Sequence, residues 1–199
     1  MNPIFVVREI FSRALERKKL LIVIAICFVV CAILGAVFVK TPAGYDYHLR
    51  LCERYLDRIC FSERSVVVIF FERTAGHALL LALILLGGIH FAALTIPAAA
   101  LFYRACTFGG SIVIFFSVYR LTGALVVFVL YLPVHLLFDC LFLAATSLSC
   151  GRARYFRFCG EDFFCLLRDF LVLLAIATIV CLAEAILLLA LFHPLGSIT

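Results

Sequence analysis

Four ionisable side chains interrupt otherwise apolar stretches of this 199-residue chain: His90, His135, Asp139 and Glu184. His135 and Asp139 are four residues apart, a spacing that sets an imidazole and a carboxylate on one face of a helix. Such a pair can relay a proton or hold an ion, and charge is costly enough in lipid to make each of these residues a functional candidate. The same groups can instead form hydrogen bonds between helices and fix their packing. If the faces bearing His90, His135, Asp139 and Glu184 converge, the product is a buried polar cluster suited to either use.

No catalytic constellation accompanies them. The chain has no G-x-S-x-G elbow, no H-E-x-x-H and no Walker loop, so neither hydrolytic nor nucleotide chemistry has its usual carriers. Paired carboxylates for glycoside cleavage need a water-facing groove. The ten cysteines are scattered and form no C-x-x-C. That spacing argues for small apolar packing residues, with no metal and no cofactor. Cys52 and Cys60, eight residues apart, would stand about 12 Å apart on one straight helix, too far to bridge. The chain is expected not to be an enzyme.

The elements that would position the polar residues are set by composition. Hydrophobic residues make up 66% of the chain, and its mean hydropathy is +1.22. A soluble domain of this size could not cover so much apolar surface, whereas a bilayer requires it. Residues 20–39 contain no charged side chain and, at 1.5 Å per residue, are long enough to cross the hydrocarbon core. This run is longer than the apolar part of a signal peptide and no clean A-x-A follows, so it is expected to persist as a helix. Further spans are expected at 75–102, 105–119, 121–148 and 170–192, the third of them short. The predicted fold is all-α, one polytopic transmembrane bundle of about five spans with amphipathic interfacial helices.

Two segments carry the amphipathic pattern. Residues 1–19 alternate apolar positions with Arg8, Arg13, Arg17, Lys18 and Lys19, as a helix lying on the membrane surface does. Residues 45–74 form the one long polar stretch. Within it Leu49, Leu56 and Ile59 share an apolar face suited to docking a partner, opposite Arg50, Glu53, Arg54, Asp57 and Arg58. Ser62 is a candidate cap for the apolar run after it. Five spans with a cytoplasmic N-terminus place ten Lys and Arg inside, counting Arg104 and Arg152–Arg168, against seven outside. The positive-inside rule then gives N-in, C-out in the plasma membrane. The net charge of +5 therefore reports topology. Nucleic-acid binding needs a contiguous basic patch in water. Membrane lipids are the expected surroundings.

From about His77 onward the chain resembles the stage II sporulation protein M family of multi-pass membrane proteins. The likeness rests on ALLLALILLGGIHFAALTIPAAALFYRACTFGGSIVIFF, on LVVFVLYLPVHLLFDCLFLAATSLS, and on Ala183-Glu184-Ala185 with the later Pro194. Val134-His135 follows Pro133 where the family usually carries Gln-Asn. The resemblance implies a membrane scaffold that anchors two peptidoglycan-cleaving partners during septal thinning and engulfment, the lytic chemistry belonging to those cell-wall hydrolases. The alternative from the residues themselves is a small proton- or ion-coupled transporter or channel component using the intramembrane His, Asp and Glu.

Overall fold

Thr41 and Pro42 set the first reversal of the chain. The Thr41 hydroxyl donates to the Phe38 carbonyl at 2.8 Å and accepts from the Gly44 amide at 3.1 Å, capping the helix that Pro42 opens. Gly44 lies so close to the Phe38 carbonyl that any Cβ there would collide with it. The computed structural model, in which these contacts are seen, describes residues 3–60, 66–90, 94–153 and 160–192. Ser62, Arg154, Arg157 and the tail 193–199 fall outside them.

In chain order the elements are α1 (Pro3–Glu16), α2 (Lys18–Phe38), α3 (Pro42–Cys60), α4 (Val66–Leu86), α5 (Thr95–Val118), α6 (Arg120–Val126), a π-helical turn (Val127–Tyr131), α7 (Leu132–Arg152) and α8 (Gly160–Phe192). The described residues contain no strand. Four helices are long and apolar enough to cross a membrane: Lys18–Phe38, Thr95–Val118, the continuous Arg120–Arg152, and Gly160–Leu187. Large apolar side chains such as Ile22, Ile33, Leu125, Phe128 and Ile179 are exposed on their outer faces, as lipid contact demands.

The boundaries differ from the sequence expectation where glycine and arginine decide them. Helix α4 ends at Leu86 and turns at Gly87-Gly88, so no single helix covers 75–102. Two adjacent glycines give up helix propensity on both residues. Helix α5 then runs unbroken through Arg104, the point at which spans 75–102 and 105–119 are divided on sequence grounds, and the short third span becomes part of a full-length helix. Arg104 therefore lies inside a helix of the bundle and not in a cytoplasmic turn. Helix α8 begins at Gly160, so Arg168 is helical, and Arg152 closes α7.

Helix α5 reverses into α6 across Tyr119 and Arg120, where Arg120 adopts a left-handed φ of 47°. The returning helix meets Pro133, whose ring removes an amide and crowds the carbonyl four residues back. The π turn at Val127–Tyr131 directly precedes it and supplies the extra width. This turn leaves Tyr131 and His135 edge-to-face at 4.0 Å between ring centres.

Helix α7 is the centre of the bundle: more than half of the most apolar stretch of the continuous Arg120–Arg152 helix is buried, against less than a fifth for α2. One apolar core joins Ile10 and Ala14 of α1, Leu81 and Leu85 of α4, Phe138 and Phe142 of α7, and Leu173 and Ala177 of α8. A second gathers Cys52 and Tyr55 of α3, Phe115 of α5 and Leu130 and Tyr131 of the π turn. Helices α2 and α5 approach backbone to backbone, with Gly35 against Cys106 and Gly109 against Ala32. Small residues permit that closeness. Helix α1 does not lie on the surface alone. Its Ile10 and Ala14 are buried, and the Ala14 carbonyl accepts from the Ser147 hydroxyl at 3.5 Å.

Candidate functional site

Asp139 projects from the inner face of α7 and is almost wholly buried. An isolated carboxylate there would be very costly. Arg104, reaching across from α5, offsets that cost with Nε 2.9 Å from Asp139 Oδ1. Arg104 Nη2 also lies 3.1 Å from His135 Nδ1. A guanidinium has only donors, so His135 Nδ1 must accept, and the proton of the neutral ring sits on Nε2. His135 and Asp139 are thus brought together as their spacing predicts, but through a shared arginine.

Glu184 of α8 makes a separate pair. Arg73 of α4 places Nη2 3.0 Å from Glu184 Oε1, and both side chains are largely buried. The same guanidinium covers the Tyr55 ring at 5.1 Å. His77, one turn further along α4, stacks on Phe138 with ring centres 3.7 Å apart. His90 belongs to none of this. It follows the Gly87-Gly88 turn outside α4 and is exposed, because the glycines end the helix that was expected to carry it inward. The observed cluster is Arg73, His77, Arg104, His135, Asp139 and Glu184, with Tyr55 of α3 over it.

A cavity of about 450 Å³ opens beside this cluster between α3, α4 and α5. Arg54, Tyr55, Arg73, His77, Arg104 and His135 line it, while Asp139 and Glu184 do not. The carboxylates stand behind the guanidiniums. Several buried polar atoms around the cavity lack a hydrogen bond: the Tyr55 hydroxyl, His77 Nε2, Asp139 Oδ2 and both Glu184 oxygens. Among the described residues no three His, Cys, Asp or Glu side chains converge as metal ligands do.

A second polar node lies nearer the far end of α7. Asp169 is fully buried and both its oxygens are bonded, Oδ1 by Arg13 at 3.1 Å and Oδ2 by Arg152 at 2.6 Å. Arg168 stands 3.6 Å from Oδ1 and 3.4 Å from Glu9. This node ties α1, α7 and α8 together. Thirteen residues of α7 separate Asp139 from Arg152, about 20 Å of helix.

The candidate docking face of α3 has a different role. Leu49 and Leu56 pack inward against the second core, and the side chain of Ile59 lies outside the described ones. Cys52 donates to the Ser111 carbonyl at 3.6 Å, and the buried His48 ring fills the space that a side chain at Gly110 would need. Burial pushes the His48 imidazole below its ordinary pKa. The face that α3 leaves open carries Asp46, Arg50, Glu53 and Arg54.

Sequence reasoning missed Arg73, His77, Arg104 and Asp169. The available signal was stoichiometric: each buried acid in lipid requires a cation, and the arginines nearest the apolar runs are the ones that supply it. No family model, curated protein or solved structure matches this chain.

Proposed function

We propose that the chain is a non-enzymatic scaffold of the plasma membrane that anchors cell-wall hydrolases, in the manner of the sporulation family it resembles. The observation that carries this reading is the pairing of the buried acids. Asp139, Glu184 and Asp169 are each held by an arginine from another helix. Charges fixed in this way brace a bundle and leave any lytic chemistry to partners.

In this proposal α4 packs along α8 as a fifth crossing. The N-terminus is cytoplasmic with α1, Arg152 and Arg168, and the C-terminus is outside. Helix α3 then lies on the outer side, offering its charged face to a partner. A photo-crosslinking residue placed at Arg50 or Glu53 is expected to capture a peptidoglycan hydrolase in cells of the source organism. Capture of lipid alone at both positions would count against the proposal.

A proton- or ion-coupled carrier is the second reading. It is favoured by one detail, the unbonded Asp139 Oδ2 beside the cavity. Flux in reconstituted vesicles that disappears with Asp139→Asn and Glu184→Gln would select it over the scaffold.

A further inference from the structure

From the cavity between α3, α4 and α5 we infer a binding site for the phosphate group of an anionic membrane lipid, with three guanidiniums facing the headgroup and an apolar rim facing the tails. This site is independent of the scaffold proposal.

The wall chemistry selects the charge. Arg54, Arg73 and Arg104 line the cavity with His77 and His135, and the two carboxylates that partly neutralise them lie outside the lining. An oxyanion therefore meets donors without meeting a like charge. Guanidinium is well matched to phosphate oxygens because its N–H groups form a planar fork. The unbonded Tyr55 hydroxyl adds a neutral donor. Arg73 and Arg104 are already fixed by Glu184 and Asp139, so they lose little freedom when a ligand arrives.

The rim selects a lipid over a soluble anion. Leu79, Leu83 and Tyr103 border the same cavity and are 64%, 39% and 55% exposed. A site for a water-borne anion would not need an apolar lip on a surface that faces lipid tails. A headgroup in the cavity with its chains along Leu79 and Leu83 satisfies both halves. The Tyr47 hydroxyl, 3.1 Å from that of Tyr103, holds the aromatic part of the lip in place.

The test is native mass spectrometry and thermal unfolding of the full chain in detergent. Phosphatidylglycerol, phosphatidylcholine of the same chains, and inorganic phosphate are added separately. Phosphatidylglycerol is expected to be retained about tenfold more tightly than phosphatidylcholine: both carry the same phosphodiester anion, but the choline cation is repelled by the arginine-lined wall. Arg54→Gln, on the exposed side of the cavity, should erase most of that preference, and the double variant Arg104→Leu with Asp139→Leu should do the same. Equal retention of the two lipids overturns the inference, as does unchanged preference in both variants. Inorganic phosphate that stabilises as well as phosphatidylglycerol and displaces it would assign the cavity to a soluble anion, against the inference. An acidic peptide that stabilises the protein when phosphatidylglycerol does not would assign it to a protein partner, also against it.

Discussion

Two polar layers cross this bundle, and their carboxylates are treated differently. At Asp169 both oxygens accept hydrogen bonds, and arginines from α1 and α7 converge on the one acid. At Asp139 and Glu184 each acid has one arginine, Asp139 Oδ2 and both Glu184 oxygens are left without a hydrogen bond, and a cavity adjoins the arginines. The first layer is closed around its acid, both carboxylate oxygens being used in holding helices, while Arg13 Nε, Arg152 Nη1 and Arg168 Nε are buried without a hydrogen bond. The second also holds helices but keeps donor capacity on a surface that something can reach. The same residue types therefore make a fastening in one place and a candidate receptor in the other. The number of cations per acid and the presence of space decide which.

The sharpest way to break this contrast is Asp169→Ala. It strands Arg13 and Arg152 around a buried hole, and we expect a loss of about 3 kcal/mol in unfolding free energy. That is the low end for a broken buried pair, because Arg13 and Arg168 reach solvent. Denaturant titration in detergent would measure it. Arg104→Ala should cost less, about 2 kcal/mol, since water entering the cavity can hydrate the abandoned Asp139. Equal losses at the two sites would erase the difference between a closed and an open layer.

Part of the arrangement is legible in the sequence and part is not. Helix α2 is legible because nothing breaks its apolar run. His135 and Asp139 are legible because a four-residue spacing fixes a helical face whatever surrounds it. Helix α5 is not, because Arg104 reads as the end of a span until Asp139 is known to lie opposite it. His90 is misplaced for the converse reason: the apolar run continues past Gly87-Gly88 in composition while the helix does not. The face of α3 bearing Leu49 and Leu56 is read correctly as apolar, but periodicity cannot say whether such a face meets a partner or its own bundle. Asp169 looks like one more charge in a basic loop, and only the docking of α1 on α7 and α8 reveals it as a hub.

A smaller effect concerns α3, one wall of the cavity. Burial lowers the His48 pKa below its unfolded value. The unfolded chain therefore binds more protons than the folded one below about pH 6.5. Stability is fully present above that pH and falls as the pH drops below it. The thermal midpoint of the wild type should fall between pH 7.5 and 5.5, and the fall should shrink in His48→Phe. An identical fall in both proteins would place the sensitivity elsewhere. The smallest expected change belongs to the double variant Arg104→Leu with Asp139→Leu. Exchanging a whole buried pair for apolar residues should leave unfolding within about 1 kcal/mol of wild type, even as the charge of the cavity wall changes.

The central claim is that the intramembrane charges hold helices in place and carry nothing across. Proton flux into vesicles reconstituted with the purified chain, read with a pH-sensitive dye under an imposed potential, tests it most directly. The rate should equal that of protein-free vesicles for wild type and Asp139→Asn alike. A wild-type flux well above that background, abolished by Asp139→Asn in a protein that still folds, would contradict it.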